Sequence, residues 1–335
     1  MSRPTTVLAM HPELPDRLFT PESRARLSAI AEIDQSVVVT DVHAPEWAGV
    51  LGPAEVLLTC WGVRPLDREV LDRAPGLRAV VHSAGSVKGF VTPELWDRGI
   101  VVSSCAAANA LPVAEYTLAM ILLAGKRVFE QSHRYVARRA RTAPGEISGP
   151  LGNYGRRVGL IGASMVGRRV VELLRPFDVE VWMSDPFLSD AEAADLGVRP
   201  VSLDRLAAGC DIVSVHAPSL PSTRHLLDRR VLALLPDRAT LINTARGALI
   251  DHDALTEELA SGRIDAVIDT SDPEPLPAGS PLYDLPNVLL TPHVAGTQGL
   301  ETHRLGKWAI DELHRYADGE AFRFPVTADD LARLA

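Results

Sequence analysis

Cysteine is scarce in this chain: Cys60, Cys105 and Cys210 are the only three in 335 residues, far apart and without a C-x-x-C pair. That excludes a disulfide framework and a cysteine-built structural zinc site, and it fits a reducing cytoplasm. Paired histidines at ligand spacing and a carboxylate cage are missing too, so no metal is expected. Positive charge is in deficit, with 34 Lys and Arg against 43 Asp and Glu and a formal net charge of −9. Nucleic-acid and anionic-membrane binders need a positive face, and neither class is expected. Long apolar runs are also lacking. The run at 7–10 is too short for a signal-peptide core and stops at His11-Pro12. The longest run, 116–125, is half a membrane span and reads as a buried helix. No repeat with a period of roughly 20–50 residues occurs, which excludes solenoids and propellers.

What is present is ample core material: 46% of residues are hydrophobic and 23% charged. The length suggests two domains. Short β-branched runs (Val37-Val38-Val39, Val56-Leu57-Leu58, Ala79-Val80-Val81, Ile100-Val101-Val102) alternate with helical stretches such as 66–73 and 93–98. That alternation reads as βαβ units on a parallel sheet. A long helix is expected over 112–138, with Pro112 at its first position and Val113, Tyr116, Thr117, Met120 and Leu123 on one face. A loop rich in Arg, Pro and Gly follows at 138–155. A second, more regular series has strands at 158–161, 179–183, 212–215, 240–242, 266–268 and 288–290. Five prolines in 271–286 make a stiff loop beside a strand end. A last helix over 299–318 is expected to pack back on the first series.

The stretch 158–168, VGLIGASMVGR, runs from a strand into a helix. Gly162 and Gly167 fill the first and third places of G-x-G-x-x-G, the turn that seats a dinucleotide's diphosphate on a helix N-terminus. Ser164 holds the second place, where its side chain either pushes the diphosphate outward or hydrogen-bonds to it. Met165 and Val166 complete the turn. Asp185 ends the next strand 18 residues after Gly167, close to the ~20 expected of the acidic residue that binds the ribose. A carboxylate there repels a 2′-phosphate, which predicts NAD (NADH) over NADP. Gly162–Val166 also nearly spells the G-x-S-x-G elbow of α/β hydrolases, but Val166 crowds the place that needs the last glycine.

Three later segments carry chemistry. Arg246 follows a strand in Ile242-Asn243-Thr244-Ala245-Arg246-Gly247, Glu274 lies in the proline-rich loop after Asp269, and His293 follows a strand in Thr291-Pro292-His293-Val294-Ala295-Gly296. In a parallel sheet these strand ends share one edge, where ligands bind. A guanidinium, a carboxylate and an imidazole converging there suit proton-coupled chemistry on a carboxylate substrate.

With these segments in hand, the chain resembles the D-isomer-specific 2-hydroxyacid dehydrogenase family over nearly its whole length. NALPVAE (109–115), VGLIGASMVG (158–167), VSVHAPSLPSTRHLLD (213–228), LINTARGALID (241–251), IDTSDPEPLP (268–277) and LLTPHVAG (289–296) carry the likeness. The resemblance implies two doubly wound α/β domains, a Rossmann-type NAD-binding domain (109–296) inserted into a discontinuous flavodoxin-like catalytic domain (1–108 with 297–335). It implies hydride transfer between nicotinamide and C2 of a small 2-keto or 2-hydroxy acid of D configuration. His293 would be the acid/base, Glu274 would orient its ring, and Arg246 would bind the substrate carboxylate and carbonyl. Similar carry-over puts Asp269 near the carboxamide and His216, Pro218 and Thr244 along the cofactor cleft. Asn109 falls at the hinge near substrate, and the backbone of Ala84, Gly85 and Ser86 at the substrate carboxylate. It also implies a homodimer joined through an arm at 112–150. An NAD-binding sensor resembling the family's co-repressors is the alternative; formate oxidation is disfavoured because Glu274 stands where that chemistry pairs its His with Gln.

Two departures stand out. Ser164 replaces a family glycine. The loop His82-Ser83-Ala84-Gly85-Ser86-Val87-Lys88-Gly89-Phe90 lacks the usual Gly-rich stretch followed by Asp-x-Ile-Asp. His82, Lys88 and Cys60-Trp61-Gly62 are therefore expected to shape an uncommon pocket, with Lys88 either favouring a second substrate anion or pointing to solvent.

Overall fold

The β-branched runs become strands in the computed structural model, which describes residues 3–141, 143, 145–146 and 151–331. In chain order they are β1 (Thr6–Ala9), β2 (Val38–Val39), β3 (Val56–Thr59), β4 (Ala79–His82), β5 (Val101–Ser104), β6 (Arg156–Ile161), β7 (Val179–Ser184), β8 (Arg199–Pro200), β9 (Ile212–Val215), β10 (Thr240–Asn243), β11 (Asp265–Ile268), β12 (Val288–Leu290) and β13 (Pro325–Val326). The chain forms two compact units, Met1–Ala110 with Thr297–Leu334, and Leu111–Gly296.

The first unit holds one sheet in the order β13-β5-β4-β3-β1-β2, parallel except for β13. Every residue of β1, β3 and β4 is buried, as strands covered by helices on both faces must be. The helix Thr302–Ala317 packs on this unit through Leu305, Ala309, Ile310 and Leu313, which join Leu8, Leu58 and Val81. It begins after a 3₁₀ turn at Gly299–Glu301, a little later than expected.

The second unit is a seven-stranded parallel sheet, β12-β11-β10-β9-β6-β7-β8. Strand order reverses at β6, between β7 and β9, which makes the β6–β9 edge the switch point where open α/β sheets take ligands. Both sheets and their covering helices agree with the α/β fold class expected from the sequence. The two-residue strands β8 and β13 were not anticipated, being too short for any periodicity to appear.

The expected 112–138 helix is corrected. One helix runs Ala106–Gly125 with Pro112 inside it, and a second runs Val128–Arg138. Ala106, Ala107, Ala108 and Ala110 are strong helix formers and start the helix a turn and a half before the proline. The break falls at Arg127, which takes a left-handed backbone (φ 52°). Its buried guanidinium donates to Glu130 Oε2 (2.7 Å), the Arg238 carbonyl (3.1 Å) and Asp265 Oδ2 (2.5 Å), fixing that conformation. Among the described residues Ala106–Gly125 is the one helix long and apolar enough to cross a membrane, by length and a mean hydropathy of 1.4. Ala114, Ile121 and Ala124 on it pack with Val158, Leu160 and Ile242 in the core of the second unit. Residues 142, 144 and 147–150 of the expected arm, and 332–335, lie outside the described residues.

Candidate active site

The glycine turn follows β6 at the switch point. Gly162 sits at φ 102°, and a Cβ on it would lie 2.6 Å from the Ala217 nitrogen, so only glycine fits between β6 and the segment after β9. Ser164 is the N-cap of the helix Met165–Leu174, its Oγ accepting from the Gly167 N–H at 3.3 Å. Of the two roles open to the hydroxyl, the structure shows a third: it serves the helix. The Met165 and Val166 N–H groups, first in that helix, have no helical carbonyl to bond and are left to donate to an anion. Asp185 braces the same turn, with Oδ2 accepting from Ala163 N (2.7 Å) and Oδ1 from Phe187 N (2.8 Å). His216 is buried with Nε2 unpartnered, and burial pushes its pKa down to about 3. Pro218 follows it, half-buried, its carbonyl accepting from Thr223 Oγ1 at 2.6 Å. A turn no side chain fits, two unclaimed helix donors and an orphaned imidazole fit a dinucleotide.

At the ends of β10, β11 and β12 the second set assembles. His293 Nδ1 lies 2.8 Å from Glu274 Oε1, with both side chains partly exposed. An ionised carboxylate only accepts, so Nδ1 carries the proton and Nε2 is left for exchange with a ligand. His293 adopts φ 53°, held there by its N–H on the Asp269 carbonyl at 3.0 Å. Asp269, buried after β11, accepts from Thr291 Oγ1 (2.6 Å), Val294 N (2.8 Å) and Ala295 N (3.0 Å). Tyr116 OH lies 2.8 Å from Thr291 Oγ1; since Thr291 gives its proton to Asp269, Tyr116 is the donor. Thr244 is buried after β10, its Oγ1 3.1 Å from that of Thr117.

Arg246 leaves the β10 turn that Asn243 ties together, Oδ1 accepting from Ala245 N and Nδ2 donating to the Arg246 and Thr270 carbonyls. A Cβ on Gly247 would lie 2.0 Å from the Ser271 carbonyl carbon, so this glycine lets the arginine turn abut the Glu274 loop. Burial lowers the pKa of Arg246, and the negative charge of Glu274 opposes that shift. A cavity of about 720 Å³ opens beside the pair, lined in part by Asp269, Glu274, Leu276, Tyr283 and His293.

The first unit has its own candidate surface at the carboxyl ends of β3 and β4. Ala84 is buried, Gly85 half-buried and Ser86 exposed. The ideal Cβ of Gly85 would lie 3.4 Å from Asn109 Nδ2, whose amide oxygen accepts from Thr297 N at 3.1 Å. Sequence reasoning missed Tyr116, Thr291 and Asn243. Only Asn243, an Asx residue at a strand-to-turn junction, carried a local signal.

Residues 118–295, more than half of the chain, match the family described as D-isomer specific 2-hydroxyacid dehydrogenase, NAD binding domain. The chain belongs to that family. It is 29% identical over 308 residues to a D-3-phosphoglycerate dehydrogenase of Mycobacterium leprae, a match spanning 90% of this chain and 57% of that protein. It thus spans little more than half the length of that relative. It is 30% identical over 302 residues to glyoxylate/hydroxypyruvate reductase B of Pectobacterium atrosepticum, spanning 87% of this chain and 91% of the relative. A solved phosphoglycerate oxidoreductase from Rhizobium etli matches with a TM-score of 0.80 at 25% identity, over 97% of this chain and 98% of that one. The family read from the motifs is the family found.

Proposed function

We propose that this 2-hydroxyacid dehydrogenase relative interconverts a small 2-oxo acid and its D-2-hydroxy acid with NAD(H). The observation that carries the reading is the His293–Glu274 pair at 2.8 Å, with Nε2 left free and Arg246 in the adjoining turn. His293 gives a proton to the substrate's 2-oxygen on reduction and takes it back on oxidation. Glu274 keeps the ring's Nδ1 protonated and its plane fixed. Arg246 forks onto the substrate carboxylate and 2-oxygen, setting C2 for attack. Asp269 acts by holding the His293 loop, with a lone pair left for a carboxamide. When bound, the nicotinamide supplies or accepts the hydride.

The second unit is the cofactor domain on this reading, with Gly162, Ser164, Met165, Val166, Asp185, His216, Pro218 and Thr244 around the dinucleotide. The Asp185 charge favours NAD over NADP. The first unit is the substrate domain, where the N–H groups of Ala84, Gly85 and Ser86 hold the carboxylate and Asn109 adds an amide. The Val128–Arg138 helix, which has no buried residue and exposes Tyr135 and Val136, supports a homodimer through the arm. Three buried free thiols support a reducing, cytoplasmic setting.

The test mixes purified protein with NADH or NADPH and glyoxylate, hydroxypyruvate, pyruvate, a phosphorylated 2-oxo acid and a bulky aromatic one. NADH oxidation with at least one acid, lost in His293→Ala, is expected. Tight NADH binding without turnover of any acid would overturn the reading.

A further inference from the structure

The parallel register of β3 and β4 sets Thr59 beside His82. Both are buried, at 0% and 3% exposure. Thr59 Oγ1 lies 2.9 Å from His82 Nδ1, and the imidazole packs against the Phe90 ring with centroids 4.7 Å apart. Burial pushes the His82 pKa down to about 3, and a hydrogen bond to the Ser86 backbone pulls the other way. A backbone group that favours the charged ring is a carbonyl accepting from it. The neutral ring therefore donates from Nε2 to Ser86 and accepts the Thr59 hydroxyl at Nδ1.

Most carbonyls around this loop are taken by protein donors. Those of His82 and Ala84 accept from Cys105 N at 3.0 Å, that of Ser83 from Cys60 Sγ at 3.5 Å, and that of Val87 from Phe90 N and Val91 N. With Ser86 held by the ring, the N–H groups of Ala84, Gly85 and Ser86 are left donating to no protein group among the described residues. Consecutive unclaimed N–H groups make an anion-binding concavity.

We propose that the Thr59–His82 pair is a latch that fixes the 83–87 loop as a carboxylate-binding nest, making both residues positioning residues for the substrate. The carboxylate assignment rests on the function proposed above; the latch itself does not. His82 orders the donors through the Ser86 carbonyl without touching the substrate. Thr59, by giving its hydroxyl proton to Nδ1, supports the tautomer with the proton on Nε2, the one that donates to Ser86.

The experiment compares wild type with Thr59→Val, Thr59→Ser and His82→Phe. Hydrogen exchange is read at 83–91 and at 158–167, and steady-state kinetics with NADH and the best 2-oxo acid. In Thr59→Val and His82→Phe, the bonded amides of the loop, Ser83 on the Thr59 carbonyl and Phe90 and Val91 on the Val87 carbonyl, should exchange about tenfold faster, a loss of roughly one hydrogen bond's worth. Those at 158–167 should not change. KM for the 2-oxo acid should rise about tenfold with kcat held within roughly threefold and KM for NADH unchanged, the mark of lost ground-state binding. Thr59→Ser keeps the hydroxyl and should match wild type in every reading. Unchanged exchange of the Ser83, Phe90 and Val91 amides in both Thr59→Val and His82→Phe overturns the latch. So does a fall in kcat with no change in KM. If wild type turns over no 2-oxo acid, the proposed function fails, while the exchange comparison still decides the latch.

Discussion

His293 holds a left-handed backbone, uncommon for any residue but glycine, and it is maintained here by its N–H on the Asp269 carbonyl and its ring on Glu274. The two supports are separable. Glu274→Gln keeps an oxygen that can accept from Nδ1 but removes the charge, and kcat/KM for 2-oxo acid reduction is expected to fall about 10–100-fold with the fold intact. Steady-state kinetics alongside circular dichroism check it. At the other end of the sheet, Asp185→Ala removes the brace from the turn for either cofactor but relieves repulsion only of a 2′-phosphate. The NADH-to-NADPH ratio of kcat/KM should drop by about tenfold or more. A ratio that stays put would show that Asp185 serves the turn alone. The placement of Arg246, Glu274 and His293 at one sheet edge was legible because each follows a β-branched strand, and parallel strands deliver their ends to one edge. Tyr116 and Thr59 were not. Their partners are 175 and 23 residues away, and nothing local marks a hydroxyl that will meet them.

Elements were legible where periodicity was long and clean, and misread where a single residue was taken as a boundary. Pro112 signals a first helical turn, yet the alanines before it carry the helix past, and the true break comes at Arg127, whose ion pair with Asp265 is long-range. The glycine turn shows the same tension. Ser164 departs from the glycine fingerprint, but as an N-cap it agrees with the helix it begins. Ser164→Ala should cost about 1 kcal/mol of stability and Ser164→Gly a few tenths. Because Oγ faces the Gly167 N–H, Ser164→Gly should leave the NADH Kd within roughly threefold of wild type. A tenfold tightening, read by fluorescence titration, would mean that the serine crowds the diphosphate after all. The Val128–Arg138 helix makes a further claim at this scale. Val136 is 70% exposed and Tyr135 59%, on a helix whose other face is charged. If that face joins two copies, Val136→Asp should shift the sedimentation coefficient from dimer to monomer, with the circular dichroism spectrum unchanged.

Across the molecule, each unit carries one buried histidine that stays neutral, His82 in the first and His216 in the second, both with pKa values pushed down to about 3 by burial. An unfolded chain protonates both near pH 6.5. Between about pH 6.5 and 3 each of these two rings therefore holds one more proton in the unfolded state than in the folded state, so its contribution to stability is full above 6.5 and falls as the pH drops through that window. At pH 4.5 the loss amounts to about 2.7 kcal/mol for each histidine, a large share of a typical domain's stability. Two units need not unfold together, so a single midpoint is the wrong observable. Hydrogen exchange read separately in peptides of each unit, at pH 6.5 and 4.5, resolves them, after correction for the intrinsic pH dependence of exchange. Both units should lose protection on acidification. His216→Phe should lessen the acid sensitivity of the second unit, leaving the share of His252, whose pKa burial also lowers, and leave that of the first unit unchanged. A loss of protection in the second unit of His216→Phe as large as in wild type would place that sensitivity elsewhere than in His216.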